Sequence, residues 1–99
     1  VPNVILRDPV VIVGKKHIGS NLLEKGLRVY PNPNSGVFNI DSRLQLDKIR
    51  IMDLSGRLIH ELFKPSQYEV LNLSSFEKGV YLIEFQSGNL IAYERVFVK

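Results

Sequence analysis

The two histidines are the first candidates for chemistry in this 99-residue sequence, because an imidazole can act as a base or bind a metal. His17 lies in a polar, glycine-containing stretch, and His60 lies between Ile59 and Glu61. Neither has a second histidine or a carboxylate at the i, i+4 spacing that places two ligands on one helix face. We therefore expect His17 to be exposed in a linker and His60 to fill one face of a strand.

Three aspartates recur at intervals of six residues and raise the question of a calcium site. Asp41, Asp47 and Asp53 all carry suitable oxygens, but a calcium loop places its ligands at close, regular intervals around a glycine turn. These three lie where strands end and loops begin, and there Asp commonly stabilises a turn by bonding its own backbone. The spacing favours turns over a metal site, and we expect no cofactor.

The sequence also lacks the usual context of a nucleophile. It contains no cysteine, which excludes disulfides, thiolate ligands and a thiolate nucleophile. Ser20 follows Gly19, and Ser55 precedes Gly56, but neither serine stands in the G-x-S-x-G turn of a hydrolase. We expect no enzymatic activity.

The tyrosines leave a binding function open. Tyr81 and Tyr93 lie in apolar segments and are expected in the core, whereas Tyr30 and Tyr68 lie at strand ends. An exposed row of aromatic side chains would favour the alternative function, an immunoglobulin-like accessory module that binds carbohydrate or a neighbouring domain. Burial of Tyr81 and Tyr93 would count against it.

The elements that carry these residues are short strands. From residue 27 onward, segments rich in branched and aromatic residues alternate with turns that contain glycine, proline or asparagine. The pattern predicts seven strands, at residues 27–30, 37–41, 48–53, 57–63, 68–73, 80–86 and 90–98. Turn signals about every ten residues are typical of an antiparallel sandwich or barrel. We expect an all-β fold, a small antiparallel β-sandwich of the immunoglobulin-like kind. No segment has the apolar period of a helix.

Composition divides the chain into two parts. Residues 1–13 are apolar but interrupted by Pro2 and Pro9, which predicts short edge or terminal strands, and residues 14–26 are polar with three glycines, which predicts a linker. The composition therefore divides the chain at residue 26, with residues 27–99 expected to form one domain.

Charge and hydropathy exclude two classes of partner. The net charge is +3, but residues 27–99 carry nine basic and eight acidic side chains, so this part offers no footprint for a phosphate backbone. The apolar runs fall far short of the roughly 18 residues that a membrane span needs. We expect neither nucleic-acid binding nor membrane insertion.

Four motifs occur in a fixed order along residues 27–99, and together they resemble the type A sorting domains of the Bacteroidetes type IX (Por) secretion system. The motifs are Tyr30-Pro31-Asn32-Pro33 with Gly36 and Phe38, Leu54-Ser55-Gly56-Arg57, the stretch LSSFEKGVYLI at 73–83, and Val96-Phe97-Val98-Lys99. They are similar to the family's Y-P-N-P-x-x-G opening, its L-x-G-[KR] turn, its L-x-x-L-x-x-G-x-Y-x-[VI] stretch and its short apolar terminus with a lysine. Phe76 stands where the family usually has Leu.

Most motif residues are expected to act through the fold. These fold-specifying positions are Tyr30, Pro31, Asn32, Pro33, Gly36, Gly56, Arg57, Gly79 and Tyr81. The prolines hold the backbone extended, and Asn32 is expected to bond its own backbone in an Asx turn. A serine in the segment 74–79 is expected to cap one helical turn that Gly79 ends, which aims Tyr81 into the core.

The resemblance implies that the domain is an address label. The parent protein would cross the inner membrane, fold in the periplasm and pass through the type IX translocon to the cell surface or the medium. Residues 1–26 would be the tail of the preceding passenger domain plus a linker, and residues 27–99 the sorting domain. An outer-membrane sortase-like peptidase would then remove the domain, commonly joining the passenger to anionic lipopolysaccharide.

Two segments are expected to meet this machinery. The translocon should read the last strand, Val96, Phe97, Val98 and Lys99, whose accessible edge could join a partner strand. The alternative is that these residues are simply the final strand, with the two valines in the core and Lys99 in solvent. The peptidase should cut within residues 15–26, where the candidate residues are Lys15, Lys16, Gly19, Ser20, Asn21 and Gly26.

Overall fold

The computed structural model describes residues 10–13, 16–19 and 26–99. In these ranges the chain forms nine strands. Their bounds are β1 Val10–Val13, β2 Lys16–Gly19, β3 Leu27–Tyr30, β4 Val37–Ser42, β5 Lys48–Asp53, β6 Leu58–Phe63, β7 Tyr68–Asn72, β8 Gly79–Ser87 and β9 Leu90–Val98. No helix that could cross a membrane occurs in this described part of the chain.

The strands form two antiparallel sheets. The larger sheet has the order β2-β1-β9-β8-β5-β6, and the smaller has the order β3-β4-β7. Residues 27–99 supply the seven strands predicted from sequence, with bounds that differ by one residue or less. The predicted small antiparallel sandwich is confirmed.

One core lies between the two sheets because each strand turns alternate side chains inward. In β8, Tyr81, Ile83 and Phe85 are buried, and in β4, Phe38 and Ile40 are buried. Each such side chain contributes about 1.5–3 kcal/mol when it leaves water. The remaining members of the buried core cluster are Leu27, Leu46, Ile49, Ile51, Leu71, Leu73, Ala92, Val96 and Val98.

A hairpin of β1 and β2 extends the larger sheet. β1 pairs with the first half of β9, from Val13 opposite Leu90 to Val10 opposite Tyr93. Lys16–Gly19 pairs with β1, so the linker predicted for this stretch is wrong at these four residues. The reason is that a sheet edge supplies backbone partners that local composition does not encode. The division of the chain at residue 26 stays a prediction.

Candidate functional site at the terminal strand

The four residues of the terminal motif divide between the core and the surface. Val96 and Val98 are buried in the core cluster, while Phe97 is 38% exposed and Lys99 is exposed. This is the placement expected from sequence. This placement follows from the period of two in a strand, which turns the two valines into the core. The side chains of Phe97 and Lys99 are left facing solvent.

The backbone edge of this strand is closed by the segment after β3. Asn34 pairs in parallel with Val98, its N–H donates to the Phe97 carbonyl at 2.9 Å, and its carbonyl accepts from the Lys99 N–H at 2.8 Å. Asn34 is buried, with 4% of its surface exposed. It therefore acts as a one-residue edge strand against the end of β9.

Asn32 extends the same closure with its side chain. Its Nδ2 donates to the Arg95 carbonyl at 2.8 Å, and its Oδ1 accepts from the Phe97 N–H at 2.9 Å. The local Asx turn expected for Asn32 is therefore wrong. A primary amide presents a donor and an acceptor side by side, as a peptide group does, so it continues the ladder along the edge. The term edge clamp is used below for Asn32 and Asn34 together.

The Asx turn of this segment belongs to Asn34, which sequence analysis did not single out. Its Oδ1 accepts from the Gly36 N–H at 2.8 Å, and its Nδ2 donates to the Pro31 carbonyl at 3.0 Å. Gly36 has a φ of +124°, and a Cβ there would lie 2.8 Å from the Ser74 Cα. The signal in the sequence was an asparagine two residues before a glycine. Both X–Pro bonds of the motif, Tyr30–Pro31 and Asn32–Pro33, are cis.

Both halves of the outer edge of β9 are thus occupied. β1 pairs with Leu90 to Tyr93, and the edge clamp bonds the backbone at Arg95, Phe97 and Lys99. The accessible edge expected for a partner strand is therefore wrong. The closed edge could not be predicted from local sequence, because Asn32 lies 63 positions from Arg95 and 65 positions from Phe97.

The second motif folds around Asp53. Its Oδ1 accepts from the Ser55 N–H at 3.0 Å, the Ser55 hydroxyl at 2.6 Å and the Arg57 N–H at 2.9 Å, while its Oδ2 faces Arg57 Nε at 3.1 Å. These donors, the Ser55 hydroxyl foremost, lower the pKa of Asp53 to about 2. Gly56 takes a φ of +91° at the turn. Arg57 therefore bonds within the turn, and its role in specifying the fold stays a prediction.

Asp47 also stabilises a loop. Its carboxylate accepts from the Gly88 N–H at 2.7 Å and faces Lys64 Nζ at 3.3 Å. These contacts, with Gly88 the larger influence, lower the pKa of Asp47. Within residues 26–99 and the two described N-terminal strands, no cluster of three acidic or histidine side chains could hold a metal ion.

The third motif forms a turn without a helix. The Phe76 N–H donates to the Leu73 carbonyl at 3.0 Å. The Ser74 N–H and hydroxyl both donate to Asn72 Oδ1, at 2.9 and 2.5 Å. The helical turn expected here is wrong, because the segment forms only a turn and Ser74 donates its N–H and hydroxyl back to Asn72. Gly79 has a φ of +150° and begins β8.

Tyr81 is buried, as the third motif predicted. Its hydroxyl donates to the Glu77 carbonyl and ties the strand to the turn. Tyr93 is also buried, and its hydroxyl donates to Glu84 at 2.8 Å. Burial, followed by the hydrogen bond to Glu84, raises the pKa of Tyr93.

Tyr30 and Tyr68 lie on the outer face of the smaller sheet. Tyr68 is exposed, and its hydroxyl donates to Asn39 Oδ1 at 3.0 Å. Burial, followed by the hydrogen bond to Tyr68, raises the pKa of Tyr30. The Arg28 guanidinium lies 4.7 Å from the centre of the Tyr30 ring and covers one of its faces. One face of Tyr30 is therefore closed to a sugar, whereas Tyr68 remains exposed.

The remaining candidates do not converge on this site. His60 is exposed in β6, and the side chain of His17 lies outside the described residues. Among the expected cleavage residues, Lys16 and Gly19 belong to β2, and Gly26 accepts a hydrogen bond from Arg43 N–H at 2.8 Å. Lys15, Ser20 and Asn21 lie outside the described residues.

Comparison with known protein families identifies the domain. The family described as the secretion system C-terminal sorting domain matches residues 28–99. The chain belongs to this family. All four motifs fall within the matched residues, and the sorting domain is the C-terminal signal for type IX secretion. Such a signal implies export of the parent protein across the outer membrane, and domains of this family are typically non-catalytic. No curated protein sequence matches the chain.

Proposed function

We propose that this sorting domain is exported as a folded sandwich and that the type IX translocon reads the outward side chains of its terminal strand. The observation that carries the proposal is the division within β9, where Val96 and Val98 are buried while Phe97 and Lys99 face solvent. The closed edge supports it further, since the backbone N–H and carbonyl of Phe97 already have partners. A partner can reach the side chains without unfolding the strand.

The domain has no enzymatic activity of its own in this proposal. Its aspartates at 47 and 53 are used in turns, and its buried tyrosines bond within the fold. The carbohydrate-binding alternative receives less support, because Tyr81 and Tyr93 are buried and Arg28 covers one face of Tyr30.

The passenger lies upstream, and a sortase-like peptidase of the outer-membrane machinery removes the domain after export. The parent protein would be periplasmic in transit and then at the cell surface or in the medium. We place the cut within residues 15–26 and outside Lys16–Gly19, since those four residues pair with β1 and proteases act on unpaired chain. Mass spectrometry of the released passenger tests this placement, and an end within residues 37–98 would refute it.

The recognition proposal is tested by export of a fluorescent reporter placed ahead of the 99-residue chain in a type IX-competent cell. Phe97→Ser and Lys99→Ala are the test variants, and Phe63→Ser is the matched control, since Phe63 is 69% exposed in β6. Loss of a central interface contact costs about 1–3 kcal/mol, so we expect export of Phe97→Ser to fall roughly tenfold or more. Phe63→Ser should export normally.

Substitution of Lys99 is preferable to its deletion, because the Lys99 N–H is bonded to Asn34. Lys99→Ala keeps this bond and should leave the melting temperature nearly unchanged while export falls. If export of all variants follows their melting temperatures alone, the terminal strand is structural and recognition lies elsewhere.

A further inference from the structure

The sandwich has two ends, and its last strand runs from one to the other. β9 begins at Leu90, where it pairs with Val13 of β1, and Val13 also pairs with Lys16 of β2. β9 ends at Val98, which pairs with Asn34 of the edge clamp. Nine residues at roughly 3.3 Å per residue place these two positions about 26 Å apart. The end at Leu90 is therefore remote from the terminal motif.

Three loops bonded to one another form the end at Leu90. The Asp47 carboxylate accepts a hydrogen bond from the Gly88 N–H at 2.7 Å, which joins the loop after β4 to the loop after β8. The Ser42 N–H donates to the Gln67 carbonyl at 2.8 Å, which joins β4 to the loop after β6. The term linker end is used below for residues 42–47, 64–67 and 87–89.

The chain that precedes β3 is anchored to the linker end at Gly26. The Gly26 carbonyl accepts from the Arg43 N–H at 2.8 Å, and a Cβ on Gly26, whose φ is +81°, would lie 2.8 Å from the Arg43 Cβ. A residue spans at most about 3.6 Å, so any peptide bond within residues 20–26 lies within about 22 Å of this anchor. The other part of the proposed cut region, at residue 15, adjoins Lys16 at the same end of the sandwich. A peptidase that cuts in either part must therefore approach the linker end.

A pocket lies beside the anchor. Its volume is about 320 Å³, which is within the range of small binding pockets. The backbone carbonyl of Gln67 is bonded to Ser42, and that of Gln45 accepts from the Ser87 hydroxyl at 2.8 Å, whereas both glutamines and Arg43 are exposed as residues. The pocket is lined by Ser42, Arg43, Leu44, Gln45, Pro65 and Gln67. Side-chain amides beside a guanidinium suit a protein partner that presents carboxylate or carbonyl oxygens.

The guanidinium of Arg43 keeps its donors for such a partner. Among the residues that the structure describes, no carboxylate forms an ion pair with it. Two carboxylates of this end are bonded elsewhere, because Asp47 faces Lys64 Nζ at 3.3 Å and Glu69 accepts from the Ser66 N–H at 2.6 Å. An acceptor for Arg43 therefore has to come from a bound molecule.

We propose that the linker end is the contact surface of the peptidase that removes the domain, and that the bound peptidase places a carboxylate or carbonyl oxygen against Arg43. This inference rests on the proposed function, because it requires removal of the domain after export.

The position of the cut selects the occupant of this surface. A peptidase that grips the chain within residues 20–26 is held within about 22 Å of Gly26 by the length of the chain itself. The translocon has no such constraint, since the residues proposed for its contact lie at the far end of β9. Recognition and removal would therefore use opposite ends of the sandwich, and neither partner would cover the contact of the other.

The test measures export and removal separately, with the reporter ahead of the 99-residue chain in a type IX-competent cell. Mass spectrometry of the exported reporter over time gives the rate at which the domain is removed. We expect Arg43→Glu to be exported normally and its removal to slow about tenfold. Gln67→Ala, which keeps the charge and the backbone carbonyl, should slow removal less. Arg28→Glu is the matched control, because it makes the same charge change at an exposed residue of the smaller sheet, and its removal should be normal.

Each other outcome overturns the inference. Removal of Arg43→Glu at the normal rate would show that the peptidase does not contact this pocket. Equal slowing of Arg43→Glu and Arg28→Glu, with matching falls in melting temperature, would reduce the effect to stability. Retention of a folded Arg43→Glu chain in the periplasm would assign Arg43 to the translocon contact. A dimer in sedimentation velocity that Arg43→Glu dissociates would assign the pocket to a second copy.

The result also separates this inference from the proposed function. If Phe97→Ser blocks export while Arg43→Glu is exported and cut normally, only the peptidase contact is wrong. If Phe97→Ser is exported normally, recognition by the terminal strand is wrong, and the removal rates of Arg43→Glu and Arg28→Glu still decide the peptidase contact. If the exported, unsubstituted chain keeps its domain, removal by a peptidase and this inference are both wrong.

Discussion

At the residue scale, Asn32 links the first motif of the sorting domain to the last. Its amide bonds the backbone of β9 on both sides of Val96, at Arg95 and at Phe97. An aspartate or a serine could not replace both bonds, because neither side chain places an amide donor beside a carbonyl acceptor. This explains why asparagine suits a position whose neighbours are prolines.

Asn32→Ala is predicted to loosen the terminal strand without unfolding the sandwich. Two hydrogen bonds are lost, and the free energy of unfolding should fall by about 1–3 kcal/mol. Hydrogen exchange of the Phe97 amide should accelerate far more than exchange of Ile83 in the neighbouring strand, as NMR would show. The matched control is Asn39→Ala, which removes an amide that bonds Tyr30 and Tyr68 on the other sheet. Unchanged protection of Phe97 would refute the role of the clamp.

Asp53 gives the second residue-scale prediction. Its pKa in the fold is about 2, below the ordinary 3.8, so its stabilising effect is fully present above 3.8 and is lost as pH falls through about 2. Carbon-detected NMR should show this carboxyl titrating near 2. The Asp53→Asn variant has no carboxyl to protonate at this position. Its free energy of unfolding should therefore fall less between pH 3.8 and about pH 2 than that of the unsubstituted chain. A titration midpoint near the ordinary value would contradict the hydrogen-bond pattern at the turn.

At the element scale, strands and turns differ in how much the sequence reveals. The strands from β3 to β9 could be predicted because alternation of buried and exposed side chains is a local property, clearest at Tyr81, Ile83 and Phe85. The turn at 74–79 could not be predicted, because its shape depends on the bonds that the Ser74 N–H and hydroxyl donate back to Asn72. The closed edge of β9 could not be predicted either, because it depends on bonds from Asn32 to residues more than 60 positions away.

Glu94 is an exception to the pattern of β9, in which the side chains on the core side are apolar. It lies opposite the buried Ile83 and on the same face as Ala92 and Val96, so a half-buried carboxylate points toward the core side of the sheet. Burial raises its pKa above the ordinary 4.5, although Arg95 acts in the opposite direction. An inward charge of this kind discourages unwanted pairing of a strand.

Glu94→Gln is therefore predicted to stabilise the domain at neutral pH. Because the folded-state pKa is raised, the favourable neutral form is fully present below 4.5 and is lost as pH rises through the folded value. The melting temperature of Glu94→Gln should exceed that of the unsubstituted chain at pH 7, and the difference should shrink in acid. If Glu94→Gln melted at a lower temperature than the unsubstituted chain at pH 7, the conclusion that burial destabilises the charged Glu94 carboxylate would be contradicted.

At the scale of the whole molecule, the first and last motifs meet at one edge of the sandwich. The edge clamp follows β3, and the strand that it closes ends with Val98. Sequence analysis could assign the family from the motifs and the order in which they occur, and the match to residues 28–99 confirms it. It could not reveal that the two motifs meet, because Asn32 and Asn34 bond residues more than 60 positions away.

The hairpin of β1 and β2 raises the question of how short a segment suffices for export. It lies outside the matched residues and pairs with the first half of β9. Residues 27–99 contain all four motifs and the edge clamp. We therefore predict that they suffice for export and that the hairpin is dispensable.

The most direct test of the central claim is export of a fluorescent reporter fused to residues 27–99 in a type IX-competent strain and in a translocon-deficient strain. The account predicts reporter at the cell surface or in the medium of the competent strain and in the periplasm of the deficient one. Circular dichroism and NMR of the purified fusion establish whether the sandwich is folded. Periplasmic retention in the competent strain, with the sandwich folded, would contradict the account.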